Sequence, residues 1–443
     1  MFRKRVQLGL IHVAVAMTLV PINSTLNRVM IKELALSATL VALLASLPYL
    51  FSPIQVFIGS LSDRHPLWGY RRTPYIGFGL ILCVLGVILT PQAAYLMSTN
   101  FWAGLALGVL SFGAWGMGYN FASVSYLSLA SELSGEKGRS RTISVMFFMM
   151  IVGIILTAMG LSRLLESYSP EVLERAFLLV ALTALVLGLL GIIGLEPRSK
   201  ARLGSIAEIE DGLAEEQRGF RKQMRSIFES RQVTLFFIYL VILLIALLGQ
   251  DILLEPYAAE AFEMSVQETT RITAIWGICF LLSLVVAGVS EGRISKMTVA
   301  RIGAWGAILA FIMIASSGII FSLGVFYLGV ILLGLSTGLA TVSNLSLMLD
   351  MTIAGKVGMF IGAWGMANAF SRLIGSVMSG LVRDTVTQIS QNAVAGYVIV
   401  FVIEAALLII SLVLLRSIDV SVFRKQAGEE NSLVERAAMA NDA

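Results

Sequence analysis

A small set of polar side chains stands inside long apolar runs of this sequence, and those side chains are where chemistry is possible. Asn23, Asn27 and Arg28 fall in the first run, Asp251 and Glu255 in a later one, Arg372 and Glu404 in the last two. Such groups can pair with opposite charges, hold the polar end of an amphiphile or carry a proton. Burying a lone charge among acyl chains is costly, so they are expected to face a partner or a cavity. His12 is the only histidine within an apolar run and His65 the only other in the chain. A neutral imidazole is a metal ligand, and a lone one on an apolar helix is also a common hydrogen-bonding core residue. With two histidines, no phosphate-binding glycine loop ending in Lys-Ser/Thr and no Cys/His spacing, hydrolysis and ATP-driven work are not expected, and the chain is not read as an enzyme. No integral cofactor or nucleic-acid partner is expected either.

The elements that must position these groups are membrane helices. The chain has 443 residues, is 57% hydrophobic and only 14% charged, and apolar runs of membrane-spanning length recur from end to end. Twelve spans are expected, at roughly 6–30, 36–61, 73–95, 101–131, 142–165, 172–195, 231–257, 268–290, 298–320, 322–350, 357–381 and 392–416. Every second loop is basic. Most of the 32 Lys and Arg lie on the side of the N-terminus, whereas Arg28, Lys32, Arg163, Arg175, Arg271 and Arg383 lie on the other. The positive-inside rule then places both termini in the cytoplasm. Cys83 and Cys279 sit singly within spans and suggest neither a disulfide nor a metal site.

The second half echoes the first. Ala122-Ser-Val-Ser-Tyr-Leu-Ser-Leu-Ala-Ser-Glu132 aligns with Ala340-Thr-Val-Ser-Asn-Leu-Ser-Leu-Met-Leu-Asp350, and Tyr75-Ile-Gly77 with Arg301-Ile-Gly303. A parallel repeat of six plus six spans predicts two bundles with the substrate site between them. The expected units are an N-terminal bundle at 1–196, a cytoplasmic linker at 197–230, a C-terminal bundle at 231–416 and a mobile tail at 417–443. The capping box Ser205-Ile-Ala-Glu208 and apolar residues at helical spacing suggest an amphipathic linker helix on the membrane surface.

Between spans 2 and 3, Gly59, Leu61, Asp63, Arg64, Gly69, Arg71 and Arg72 follow a spacing that resembles the signature loop of major facilitator transporters, with His65-Pro-Leu-Trp68 as an insertion. This implies an all-α major facilitator fold of twelve transmembrane helices in two pseudo-symmetric bundles. The wider text, with LPYLFSP and RRTPYI around that loop, GQDILLEPY at 249–257 and FIGAWG at 360–365, resembles the PucC/LhaA family, also called bacteriochlorophyll delivery proteins. The resemblance implies a membrane carrier or assembly factor that delivers chlorophyll or bacteriochlorophyll as cargo to light-harvesting or photosystem apoproteins, with pigment-synthesis enzymes as further partners. It also implies an intracytoplasmic photosynthetic or thylakoid membrane. A proton-coupled transporter of another amphiphile and a non-transporting assembly scaffold are the alternatives.

In the signature loop, Arg64, Arg71 or Arg72 is expected to bridge Asp63 to Glu132 at the end of span 4, with Asp63 also facing the start of span 11 near Gly358. Such a latch would hold the two bundles, and a plain topogenic basic loop is the bland alternative. In spans 1 and 7, the pairs Asn23/Asn27 and Asp251/Glu255 each lie one turn apart on a face. They are read as an outer gate, a polar pigment or substrate site, or a proton-coupling site, with Arg28 neutralising Asp251 or Glu255. Glu404 is the simplest partner for Arg372, which could otherwise hold an anionic head or ring carbonyl in the cavity. His12 is named as a ligand for a pigment's magnesium, with Asn23, Asn120 and Asn344 as further candidates.

Overall fold

The computed structural model describes residues 2–198, 231–290, 293–351 and 357–418. The linker expected at 197–230 and the tail at 417–443 lie almost wholly outside the described residues. Twelve helical spans follow in order: α1 (Phe2–Glu33), α2 (residues 38–64), α3 (Thr73–Thr99), α4 (Phe101–Gly135), α5 (Arg141–Leu164), α6 (Pro170–Ile192), α7 (Arg231–Ile252, extended by Leu254–Phe262), α8 (Val266–Val289), α9 (Lys296–Ile319), α10 (Leu323–Asp350), α11 (Val357–Ser390) and α12 (Ala393–Arg416). Ten of these are long and apolar enough to cross a membrane; α2 and α11 are not among them. The protein is a multi-pass membrane protein.

Three spans are interrupted, each for a local reason. In α1, Pro21 lacks the N–H that would continue the ladder, and the helix widens into π-helical turns at Pro21–Leu26 and Val29–Glu33. Pro48 and Pro53 divide α2 into Ala38–Ala45, Leu47–Leu50 and Ile54–Arg64. In α7, a 3-10 turn at Gln250–Ile252 separates two α-helical stretches, and Pro256 again removes a donor just beyond it. Irregular backbone at membrane depth persists where protein or a cavity covers it. All three interrupted spans meet at one place, the seam between the halves.

The duplication shows in the packing of α3 on α4 and of α9 on α10. A Cβ on Gly79 would lie 2.5 Å from Ala122 N and 2.7 Å from Gly118 O; one on Gly303 would lie 2.9 Å from Ala340 N and 3.1 Å from Ser336 O. Both crossings bring backbone against backbone through a small residue. The counterpart of Gly303 is therefore Gly79 and not Gly77, whose Cβ would meet nothing. The register expected from Ile-Gly matching is corrected by two residues. Close packing, not sequence similarity of the helix start, sets it.

Candidate functional site

The basic end of the molecule is organised by Arg72. Its guanidinium donates to Glu132 Oε1 at 2.8 and 3.0 Å and also to Asp63, Ser62 and the Gly59 carbonyl. Arg71 reaches the Asp63 carbonyl at 3.1 Å. Behind them, the Glu196 carboxylate accepts from the backbone N–H groups of Arg71, Arg72 and Thr73, at 2.7 Å from the first and last. A carboxylate on the free N–H groups that open α3 is favourable both as hydrogen bonding and against the helix dipole. Arg72 takes the bridging place between α2 and α4, and all these bonds stay within the N-terminal half. The side chain of Arg64 and the surroundings of Gly358 lie outside the described residues.

The halves meet at the other end. Thr25 and Thr270 hydroxyls are 3.0 Å apart, Lys32 pairs with Glu260 at 2.8 Å, and Ser162 donates to the Gln267 carbonyl at 2.8 Å. Asp384 on α11 accepts from Ala38 N at 3.0 Å, Thr39 N at 2.8 Å and the Thr39 hydroxyl at 2.7 Å, clamping the N-terminus of α2. A Cβ on Gly380 would meet the Ala38 carbonyl at 2.8 Å, so the two helices touch backbone to backbone there. These hydrogen bonds and ion pairs between the halves, with Arg28 to the Met264 carbonyl and Thr273 to Ser24, gather in this region. The seam is thus shut at the end remote from the basic loops.

Where this closed region ends, a charged layer begins. Arg372 pairs with Asp251. Its guanidinium also lies over the ring of Tyr49, 5.4 Å from the centroid, so that α11, the turn in α7 and the broken α2 meet at one cation. Gln250 donates to Asp251 Oδ1 at 2.9 Å. The Arg372 and Asp251 side chains keep 29% and 24% of their exposure, so the pair borders open space. A step further toward the closed end, Thr273 Oγ1 stands 2.7 Å from Glu255 Oε1 and 2.8 Å from Ser24 Oγ, linking α7, α8 and α1.

Two expected pairings are overturned. Arg372 does not pair with Glu404: that carboxyl is buried on α12, where it accepts from Ser379 at 3.3 Å and sits under Gly249, whose Cβ would lie 2.9 Å from Glu404 Oε1. The turn at 250–252 brings Asp251 to the arginine first. Nor does Arg28 neutralise Asp251 or Glu255. It pairs with Glu33 on its own span and donates to the Met264 carbonyl at 3.0 Å, because the π-helical turns rotate it toward the loop before α8.

The remaining candidates divide. Asn27 is buried and donates to the Asn23 carbonyl at 3.1 Å. Asn120 gives both amide hydrogens to Pro48 O and Gly116 O and accepts from Gln55 at 2.6 Å, which fills all but one of its valences in holding the break of α2 against α4. It braces that break. Asn344 donates to Ala340 O at 2.7 Å within α10. His12 is buried between the rings of Tyr126 and Phe147, both 5.0 Å away, inside the N-terminal half and not at the ion-paired layer. Tyr49, Gln250, Ser24, Thr273 and Asp384 were not singled out from sequence. For the hydroxyls nothing distinguishes them from lipid-facing Ser and Thr, whereas Asp384 beside Arg383 late in an apolar run was a visible signal.

The family model described as PUCC protein matches residues 25–423. The chain belongs to this family. The match takes in both halves, including Thr25, Asp251, Arg372 and Asp384 of the seam. Among the PUCC relatives, Protein PucC of Rhodobacter capsulatus is 29% identical over 92% of this chain and 90% of its own. The Bacteriochlorophyll synthase 44.5 kDa chain of Rhodobacter capsulatus is 27% identical over 91% of this chain and 92% of its own. Of solved structures, the nucleoside transporter NupG superposes with a TM-score of 0.69 at 15% identity, covering 94% of this chain and 98% of that one. A bacterial homolog of the human lysosomal transporter Spinster, inward-facing and unoccupied, gives a TM-score of 0.71 at 13% identity, covering 95% and 97%. These likenesses show the fold, which is that of the major facilitator transporters.

Proposed function

We propose that this PUCC-family protein carries chlorophyll or bacteriochlorophyll within the membrane and delivers it to light-harvesting or photosystem apoproteins. Membership of a family related to photosynthetic pigment-complex assembly gives the class of task. The observation that carries the reading further is the Arg372–Asp251–Tyr49 layer, a part-exposed cation at the inner limit of the closed seam. A tetrapyrrole ester is a large apolar body with a few polar carbonyls. Arg372 donors offer those carbonyls hydrogen bonds while Asp251 keeps the cation neutral until cargo arrives. On the positive-inside rule the unclamped end of the seam would face the cytoplasm, and cargo would enter from that side, where pigment-synthesis enzymes and nascent antenna proteins would be its partners.

Purification in mild detergent followed by an absorption spectrum tests this. Bound chlorin is expected in the wild type, with at least tenfold less in Arg372→Ala. Antenna helices that co-purify with no chlorin would replace delivery with a scaffold role. Proton-coupled flux of a different amphiphile in liposomes would replace it with transport.

A further inference from the structure

We propose that the turn between α2 and α3 is a lipid-binding tip, with Leu67 and Trp68 seated at the acyl boundary and Arg198 on the phosphate of an anionic lipid. The turn has a fixed shape. Leu67 and Tyr70 exchange both backbone hydrogen bonds, each at 2.9 Å, across the corner Trp68-Gly69. Both corner residues have positive φ, 53° for Trp68 and 81° for Gly69. Two such residues close a tight antiparallel turn. Glycine adopts that backbone freely, whereas a tryptophan does so with strain. Bonds on both flanks hold the strained corner in place. Tyr75 donates to the His65 carbonyl at 2.9 Å and Arg71 to the Asp63 carbonyl at 3.1 Å, and Glu196 accepts from the N–H groups of Arg71, Arg72 and Thr73.

What this frame presents is apolar. Leu67 is 41% exposed and Trp68 83%. Both belong to His65-Pro-Leu-Trp68, the insertion into the transporter signature, and the repeat-related loop at 290–295 contains no aromatic residue. The N-terminal half therefore carries an exposed aromatic tip that its copy lacks.

The position of the tip indicates what covers it. The turn leads directly into α3, which exposes Phe78, Ile81 and Leu85 to lipid. Packed on α3 is α6, which ends with Leu190 and Ile193 exposed. The chain leaving α6 runs beside the turn: Glu196 bonds the start of α3, and the Arg198 guanidinium lies over the Tyr70 ring, 5.9 Å from its centroid. The tip thus stands where the lipid-facing surface of α3 and α6 ends, at the basic end of the molecule. An indole at that level sits at the boundary of headgroup and acyl chain. Arg198 is itself exposed, and a guanidinium matches phosphate oxygens with two parallel N–H donors. Because the turn runs on into Arg71 and Arg72, a lipid held here also ties the Arg72 network to the membrane surface. The inference concerns lipid and stands apart from the identity of the cargo.

The test is tryptophan fluorescence of the full-length protein in nanodiscs of equimolar phosphatidylcholine and phosphatidylglycerol. The Trp68 signal is the difference between wild type and Trp68→Phe. With the phosphatidylglycerol brominated on its upper acyl chain, that signal should be blue-shifted and strongly quenched. Moving the bromine to the phosphatidylcholine should quench it less. Arg198→Gln should lower the preference for the anionic lipid about fivefold, the equivalent of the ~1 kcal/mol that one basic residue contributes near such a surface. The blue shift should survive in that variant. A signal quenched by aqueous iodide and not by brominated lipid would put the tip in water and overturn the proposal. A signal that neither quencher reaches would mean that protein covers the tip, and would overturn it as well. Equal quenching by the two brominated lipids would overturn the anionic-lipid site.

Discussion

The two halves share a repeat yet secure their basic ends differently. Arg72 and Lys296 are equivalent by the packing register, 224 residues apart, as are Glu132 and Asp350 at 218. In the C-terminal half the pair is Lys296 on Asp350 at 2.8 Å, with the lysine 37% exposed. In the N-terminal half the arginine is 5% exposed and also holds Asp63, Ser62 and Gly59 O. A guanidinium presents a fork that can serve several acceptors at once, and an ammonium acts as a point charge on a flexible stem. The duplicated position kept its charge and changed its valence. The other asymmetry runs the opposite way: Asp251, Glu255, Arg372 and Glu404 all belong to the C-terminal half. One half is braced at its basic end, and the other brings the charges of the Arg372–Asp251 layer to the seam, while Arg28 and Lys32 of the first half serve only the closed end.

The largest effect is expected at Arg72. Arg72→Ala leaves Asp63 and Glu132 facing each other without a cation and empties a buried side-chain site. Breaking a buried pair costs up to ~3–5 kcal/mol; with both carboxylates nearly half exposed, about 2–3 kcal/mol is expected. Arg72→Lys should recover part of it, since one ammonium cannot serve α2 and α4 together. The unfolding midpoint in detergent reads this out. Equal losses from Arg72→Ala and Lys296→Ala would erase the asymmetry.

The glycine crossings sharpen the same comparison at smaller scale. Gly79→Ala forces backbone apart where the added carbon would sit 2.5 Å from Ala122 N, against 2.9 Å from Ala340 N for Gly303→Ala. Overpacking costs about 1–3 kcal/mol, and Gly79→Ala should lie at the upper end and Gly303→Ala at the lower. The reverse order would mean that the N-terminal half yields more easily than its bonds suggest.

The class, the spans and the duplication were legible because they rest on long-range statistics of the chain: hydropathy, alternation of basic loops and the match of Ala122–Glu132 with Ala340–Asp350. A bridge from Asp63 to Glu132 was legible from the loop spacing, with Arg64, Arg71 and Arg72 as candidates; that Arg72 joins the two, and within one half, was not. Nor were pairings across the seam. Which carboxyl reaches Arg372 depends on a single 3-10 turn at Gln250–Ile252, and which partner Arg28 finds depends on π-helical turns set off by Pro21. Ideal 3.6-residue counting cannot follow either. Asp384 escaped because the eleventh span was ended at residue 381, whereas the helix runs on to Ser390 and carries the carboxylate to the N-terminus of α2. That clamp mirrors, at the closed end, the contact expected between Asp63 and the start of α11 at the basic end.

Lys296→Ala should have the smallest effect of the set. Its partner Asp350 is a quarter exposed and the lysine itself more so. An ion pair in that setting contributes about 0–1 kcal/mol and weakens with salt. The loss on Lys296→Ala should therefore shrink further as NaCl is raised, whereas the loss on Arg72→Ala should persist because its guanidinium is shielded from solvent. The salt dependence is the sharper readout, since it separates an exposed point charge from a buried fork even if the two midpoints fall close together. A Lys296→Ala loss that survived high salt would show that the C-terminal half is braced at its basic end after all.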